Sequence, residues 1–155
     1  MSVQVSVTKT ETQTLVEVVG DVDECAVLPP LTVIQGQLII NLAGLTFINS
    51  LGIRIWIRWI KSIKADKGIV LVNCSPPFVR QMSILQSFIP EGVTVKDIFV
   101  PYYCENCNRE DRKLINVEIA LQAVPNEIPC TKCNGSMELG IIKNSYFKFW
   151  EKKAF

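Results

Sequence analysis

Apolar and polar positions alternate at the start of the chain. Val3, Val5 and Val7 are followed, after a polar stretch, by Leu15, Val16, Val18 and Val19, which close at Gly20-Asp21. The period of two predicts a pair of strands joined as a hairpin. Residues 22 to 35 show no clear period, and Pro29-Pro30 would interrupt a helix there. Leu38-Ile39-Ile40-Asn41-Leu42 lies between Gly36 and Ala43-Gly44 and reads as a short strand buried on both faces. From Ser50 to about Lys64 the period becomes helical: Ile53, Trp56, Ile57, Ile60 and Ile63 share one side, while Arg54, Arg58 and Lys61 stack on another. Ile69 to Val72 reads as a second buried strand. Pro76-Pro77 then opens a helix through Phe78, Val79, Met82 and Leu85, where a missing N–H costs nothing. After the turn at Pro90-Glu91-Gly92, Val93, Val95, Ile98 and Phe99 predict a last strand. Strands alternating with helices after an opening hairpin imply an α/β fold, a mixed sheet with helices packed on it. Pro101 marks the expected boundary between a domain of residues 1–100 and a cysteine-rich module of residues 101–155.

Composition narrows the function classes. With 48% hydrophobic and 20% charged residues the chain has enough apolar material for a core. Residues 1–99 carry 8 basic and 8 acidic side chains and residues 100–155 carry 8 and 7, so neither half has the charge of a polyanion binder. Histidine is absent, which removes Ser-His-Asp and Cys-His nucleophiles and every imidazole base; an enzyme would have to work with carboxylates, lysine, serine or cysteine alone. The first residues lack the basic and apolar regions of a signal peptide, and no apolar run approaches the length of a membrane span. The expected location is the cytoplasm, where thiols stay reduced, so the six cysteines raise the question of a metal before that of disulfides.

Cys104-Glu-Asn-Cys107 and Cys130-Thr-Lys-Cys133 are two CxxC knuckles separated by 22 residues, close to the spacing of four-cysteine zinc sites. Each turn converges two sulfurs on one ion, and Asn108 and Asn134-Gly135 suit the left-handed backbone such turns need. The intervening residues have room for a hairpin, with Leu114 to Leu121 as its strand. A structural Zn2+ held by Cys104, Cys107, Cys130 and Cys133 is the first reading; disulfides, a redox CxxC pair and an iron centre are the alternatives. Four sulfur ligands would leave no open position for catalysis. Cys25 and Cys74, outside the pairs, read as small buried hydrophobes.

Phe47-Ile48-Asn49-Ser50-Leu51-Gly52-Ile53 joins a strand to the amphipathic helix. Asn49 or Ser50 could simply cap that helix. Alternatively, Ser50 stands near Arg54, Arg58 and Lys61 at the positive end of the helix dipole, where a phosphate would be accommodated and would reverse the local charge. Gly52 would then leave the backbone open to a partner.

Residues 3 to 99 resemble the STAS domain family, the sulfate-transporter and anti-sigma-factor-antagonist fold. Gly20-Asp21-Val22-Asp23 resembles its G-x-L-D turn, Leu38 to Gly52 its strand, loop and D-S-[ST]-G helix start, and Asn73-Cys74-Ser75-Pro76 its N-x-x-P strand end. The resemblance implies a non-enzymatic bacterial regulatory and signal-transduction module. Its protein partner would be a serine kinase or anti-sigma-type regulator, met through Asn49, Gly52, Arg54, Arg58 and Lys61, with Ser50 as the phosphorylated switch. The motif's aspartate is Asn49 here, and its small hydroxyl residue is Leu51. The tail, with Cys130-Thr-Lys-Cys133 followed by Tyr146-Phe147-Lys148-Phe149-Trp150, resembles a zinc ribbon. A competing reading makes that ribbon a nucleic-acid binder, with Tyr102, Tyr103, Tyr146, Phe147, Phe149 and Trp150 stacking on bases and Lys143, Lys148, Lys152 and Lys153 meeting phosphates.

Overall fold

The structure, a computed structural model, describes residues 1–31, 33–118 and 123–151, with the backbone alone for 150 and 151. The opening hairpin forms as the alternation predicts: β1 (Gln4–Lys9) runs antiparallel to β2 (Gln13–Val22), with Val5 opposite Val18 and Val7 opposite Val16. Three parallel pairings extend the sheet. β2 pairs with β4 (Gln37–Asn41), β4 with β7 (Ile69–Val72), and β7 with β8 (Val93–Val95). The short β5 (Leu45–Ile48) pairs with the far end of β2, past an irregularity at Gly20-Asp21. The result is a mixed α/β sheet in the order β1-β2-β4-β7-β8, with β5 beside β2.

Two helices cover one face of that sheet. α1 (Ser50–Ser62) buries Gly52, Trp56, Trp59 and Ile60, and α2 (Pro76–Ile84) buries Phe78, Val79, Met82 and Ser83. Beneath them lie Val16, Val18, Leu38, Ile40 and Leu71, each no more than 1% exposed. Trp56 stands edge-on to Phe78 at 5.0 Å and near Phe88 at 5.8 Å, and its indole N–H donates to the Phe88 carbonyl oxygen at 3.1 Å. The Trp59 indole N–H donates to the Pro29 carbonyl at 2.7 Å. Both large rings are thereby buried with their one polar atom satisfied.

The opposite face of the sheet is open. Ile39, Val70 and Val72 are half-buried, in alternation with the fully covered Leu38, Ile40 and Leu71. The expectation that these two strands are buried on both faces is therefore corrected: their continuous apolar runs reflect a covered face and a weakly apolar open one. Within residues 22–35 a two-residue strand, β3 (Val33–Ile34), pairs in parallel with β6 (Lys64–Ala65) at the end of α1.

The second half continues the first without a break in the chain's path. β9 (Asp97–Cys104) starts beside the end of β7, where the Cys74 N–H donates to the Asp97 carbonyl (3.2 Å) and the Phe99 N–H to the Cys74 carbonyl (2.8 Å). It then runs into a four-stranded antiparallel sheet with β10 (Arg109–Asn116), β11 (Glu127–Pro129) and β12 (Ser136–Leu139), in the order β10-β9-β12-β11. The boundary placed at residue 100 thus falls inside β9. β10 begins at Arg109, directly after the first knuckle, rather than at Leu114; of the expected strand, residues 119–121 lie outside the described residues. Two short helices, α3 (Lys143–Tyr146) and α4 (Lys148–Glu151), return to lie against α2.

Candidate functional site

Each CxxC knuckle sits in the turn of a hairpin. Cys104 ends β9 and is followed by Cys107 before β10; Cys130 follows β11 and Cys133 precedes β12. Asn108 (φ 57°) and Asn134 (φ 61°), each one residue after a knuckle, adopt the left-handed conformation that lets the chain turn back. β9 and β12 pair directly, with Tyr103 opposite Glu138, which brings the two turns to the same end of the sheet. The Arg109 guanidinium reaches from the first hairpin to the Thr131 hydroxyl of the second at 2.6 Å.

All four Sγ atoms consequently lie within 4.8 Å of one another. Cys104 and Cys133 are 3.5 Å apart, and Cys107 and Cys130 3.7 Å. A tetrahedral ion with bonds of about 2.3 Å to sulfur sets its ligands about 3.8 Å apart, so the residues present fit a metal ion. Their electrostatics fit as well. The Asn106 side chain and the Gly135 backbone N–H both bond Cys133, holding its thiol down to about 6, and the Lys132 N–H lowers that of Cys130. Loss of water around the Cys107 sulfur, with its three sulfur neighbours, pushes that thiol up to about 12. A divalent ion would favour the thiolate form of all four sulfurs and displace their protons. The other two cysteines differ from each other: Cys74 is buried, as expected, but Cys25 is exposed on the loop after β2, a correction to the reading of both as core.

Comparison of the chain with protein-family models, with curated proteins and with solved structures finds no match. The chemistry of its sites therefore rests on the geometry alone.

The second candidate site lies at the start of α1. Asn49, not Ser50, is the cap: its Oδ1 accepts the Gly52 N–H at 2.8 Å while its amide donates to Glu24 at 2.8 Å. That bond also holds the Glu24 carboxyl below the usual carboxylate range. Ser50 is the first helical residue and is exposed, and among the described residues no hydrogen bond engages its hydroxyl. Arg54, Arg58 and Lys61 are exposed on the same helix. Phe47 (49% exposed) and Leu51 (48%) flank the serine, an apolar pair that the reading of charges alone missed. Gly52, in contrast, is buried. A Cβ there would stand 1.8 Å from the Val22 carbonyl oxygen, so the glycine serves the approach of α1 to β2 and its backbone does not face a partner.

The residues proposed for base stacking are mostly core. Tyr102, Tyr146, Phe147 and Phe149 are buried, and among the described members of the set only Tyr103 reaches the surface. Lys143 is engaged with the Val124 carbonyl at 2.9 Å. The Trp150 side chain, Lys152 and Lys153 lie outside the described residues. No helix of the described residues is long and apolar enough to cross a membrane.

Proposed function

We propose that the chain is a non-enzymatic regulatory module of the STAS type whose C-terminal half is a zinc-ribbon-like structure around Zn2+. The partner would be a protein, a serine kinase or anti-sigma-type regulator, bound through the face around Ser50 and released on its phosphorylation. One observation carries this reading: Asn49 takes the capping role, so the Ser50 hydroxyl is left exposed between Phe47 and Leu51, ahead of Arg54, Arg58 and Lys61. A serine whose only task was to close the helix would be engaged with the backbone. An exposed apolar pair beside a cationic stripe is the composition of a contact surface, aromatic anchor included. A phosphate at Ser50 would meet the positive helix terminus and the side chain four residues on, and would offset most of the positive charge of the surface.

For the ion, four thiolates in a closed tetrahedron favour zinc over harder cations, and the site then holds the fold together without an open position for substrate. The test has two independent arms. Native and denaturing mass spectrometry of the protein isolated from its own cells reads the ion, seen only in the native spectrum, and any phosphate, which persists in the denatured one. Affinity capture with wild type, Ser50→Ala, Ser50→Asp and Phe47→Asp reads the face. A protein retained by the first two and lost with the last two, at unchanged thermal stability, is expected. Equal retention by all four would reduce Ser50 to a solvated helix residue.

A further inference from the structure

α2 and the returning C-terminal segment leave a groove between them that shares no residue with the face around Ser50. Ile84, the last residue of α2, is 75% exposed, and Ile142, immediately before α3, is 73% exposed. Together with Ile141 and Tyr146 they line a hollow of about 390 Å³. Through Ile84 and Ser145 it continues into a second hollow, of about 640 Å³, that ends at Lys148. Isoleucines this exposed on both walls of one concave surface are uncommon on a solvated protein and mark an interaction site.

The floor is rigid. The Ser83 hydroxyl donates to the Tyr146 carbonyl at 2.6 Å, and the Tyr146 hydroxyl donates to the Phe99 carbonyl at 2.6 Å, so the two walls are fixed to each other and to β9. The groove is therefore formed before anything binds, which lowers the ordering cost of binding. Charge selects the occupant. Among the described residues, the charged side chains lining the two hollows are Arg80 at one end and Lys148 at the other, and no carboxylate lines either. Neither cation forms an ion pair among the described residues.

We propose that this groove docks an acidic amphipathic peptide segment of a partner protein. Its apolar side chains fill the space between Ile84 and Ile142, and its carboxylates meet Arg80 and Lys148. Helical segments bind grooves in this manner, with apolar anchors supplying affinity and flanking charge supplying selectivity. The site depends on both halves of the chain, because one wall comes from α2 and the other from the residues after β12.

The test uses the full-length, metal-loaded chain and three synthetic peptides of about 16 residues with one shared apolar pattern, their flanking positions all Glu, all Gln or all Lys. Isoleucine methyl signals are followed by NMR titration. The Glu peptide should shift Ile84 and Ile142 and bind about ten-fold more tightly than the Gln peptide, with the Lys peptide weakest. Arg80→Glu with Lys148→Glu should invert that order, and Ile84→Asp, at an exposed position that leaves the fold intact, should abolish binding. Equal affinity for the three peptides, shifts confined to other isoleucines, or no binding would overturn the proposal. So would methyl shifts that follow protein concentration without peptide, which would assign the groove to a second copy of the chain.

Discussion

Three neighbouring kinds of residue at the helix starts have opposite roles, and substitution separates them. At Gly52 any side chain would collide with the Val22 carbonyl, since even a methyl carbon would stand 1.8 Å from it. Gly52→Ala gains helix propensity on paper and should instead lose several kcal/mol in denaturant unfolding, about 3 or more, because backbone on backbone has no flexible atom to yield. Asn49→Ala removes the cap that bonds the Gly52 N–H and should lose about 1 kcal/mol. Ser75 stands before α2 in the capping position but makes no cap bond: Pro77 carries no N–H, and the Phe78 N–H is not engaged by it. Among the described residues its hydroxyl is buried without a partner. Ser75→Ala should therefore be neutral or stabilising by up to about 1 kcal/mol in the same assay, whereas a loss would reveal a partner for the hydroxyl. The sequence offered Asn49 or Ser50 as the cap; that Asn49 holds the role depends on φ/ψ and on Glu24, 25 residues away, which no local pattern carries.

At the scale of elements, what could be read in advance was whatever had a period or a stop signal. α1 and α2 begin at Ser50 and Pro76 as expected, because a helical stripe and a proline pair announce them, and β4 and β7 follow their apolar runs. β10 was hidden by its first residues, Arg109-Glu-Asp-Arg-Lys, which are charged on both faces of an edge strand and show no alternation. Such a strand is fixed by its partner β9 and by the knuckle before it rather than by its own propensity. The four-cysteine cluster was the most legible site, since the spacing of two CxxC turns leaves little choice of chemistry, but the hydrogen bond that lowers Cys133 comes from Asn106 on the other hairpin. Removing the metal should accordingly act locally. After chelation, hydrogen exchange should rise first at the Cys130 amide, which bonds the Gly135 carbonyl at 2.8 Å within the second knuckle, while Leu38 and Leu71 amides keep their protection. With zinc as the proposed ion, each ten-fold rise in its free concentration above the dissociation constant should add about 1.4 kcal/mol to the stability of the chain. Falling pH should release the ion as thiol protons compete for the sulfurs.

Across the whole molecule the two sheets are joined where the chain crosses between them inside β9, and they are tied again further on. The Arg112 guanidinium lies 4.1 Å over the Phe99 ring and donates to the Ala43 carbonyl at 3.0 Å, linking β10 back to the first sheet. The composition shift at Pro101 is a change in chemistry along one strand, which is why it reads as a boundary in sequence while the fold passes through it. Tyr146 is the third tie and the one that can be titrated. Burial holds its hydroxyl well above the ordinary tyrosine range, as the proton is needed for the bond to the Phe99 carbonyl. In the unfolded chain tyrosine gives up its proton near pH 10. Between that pH and the higher folded value the native state binds more protons than the unfolded one, so stability falls as pH rises. Below about pH 9 the contribution of Tyr146 should be constant, and above pH 10 the wild-type unfolding free energy should drop steeply. Tyr146→Phe should start lower, by about 1 kcal/mol for the lost hydrogen bond, and show a shallower slope above pH 10. Parallel slopes for the two proteins would mean that alkaline loss begins elsewhere, and that the C-terminal helices can leave α2 without the rest of the fold following.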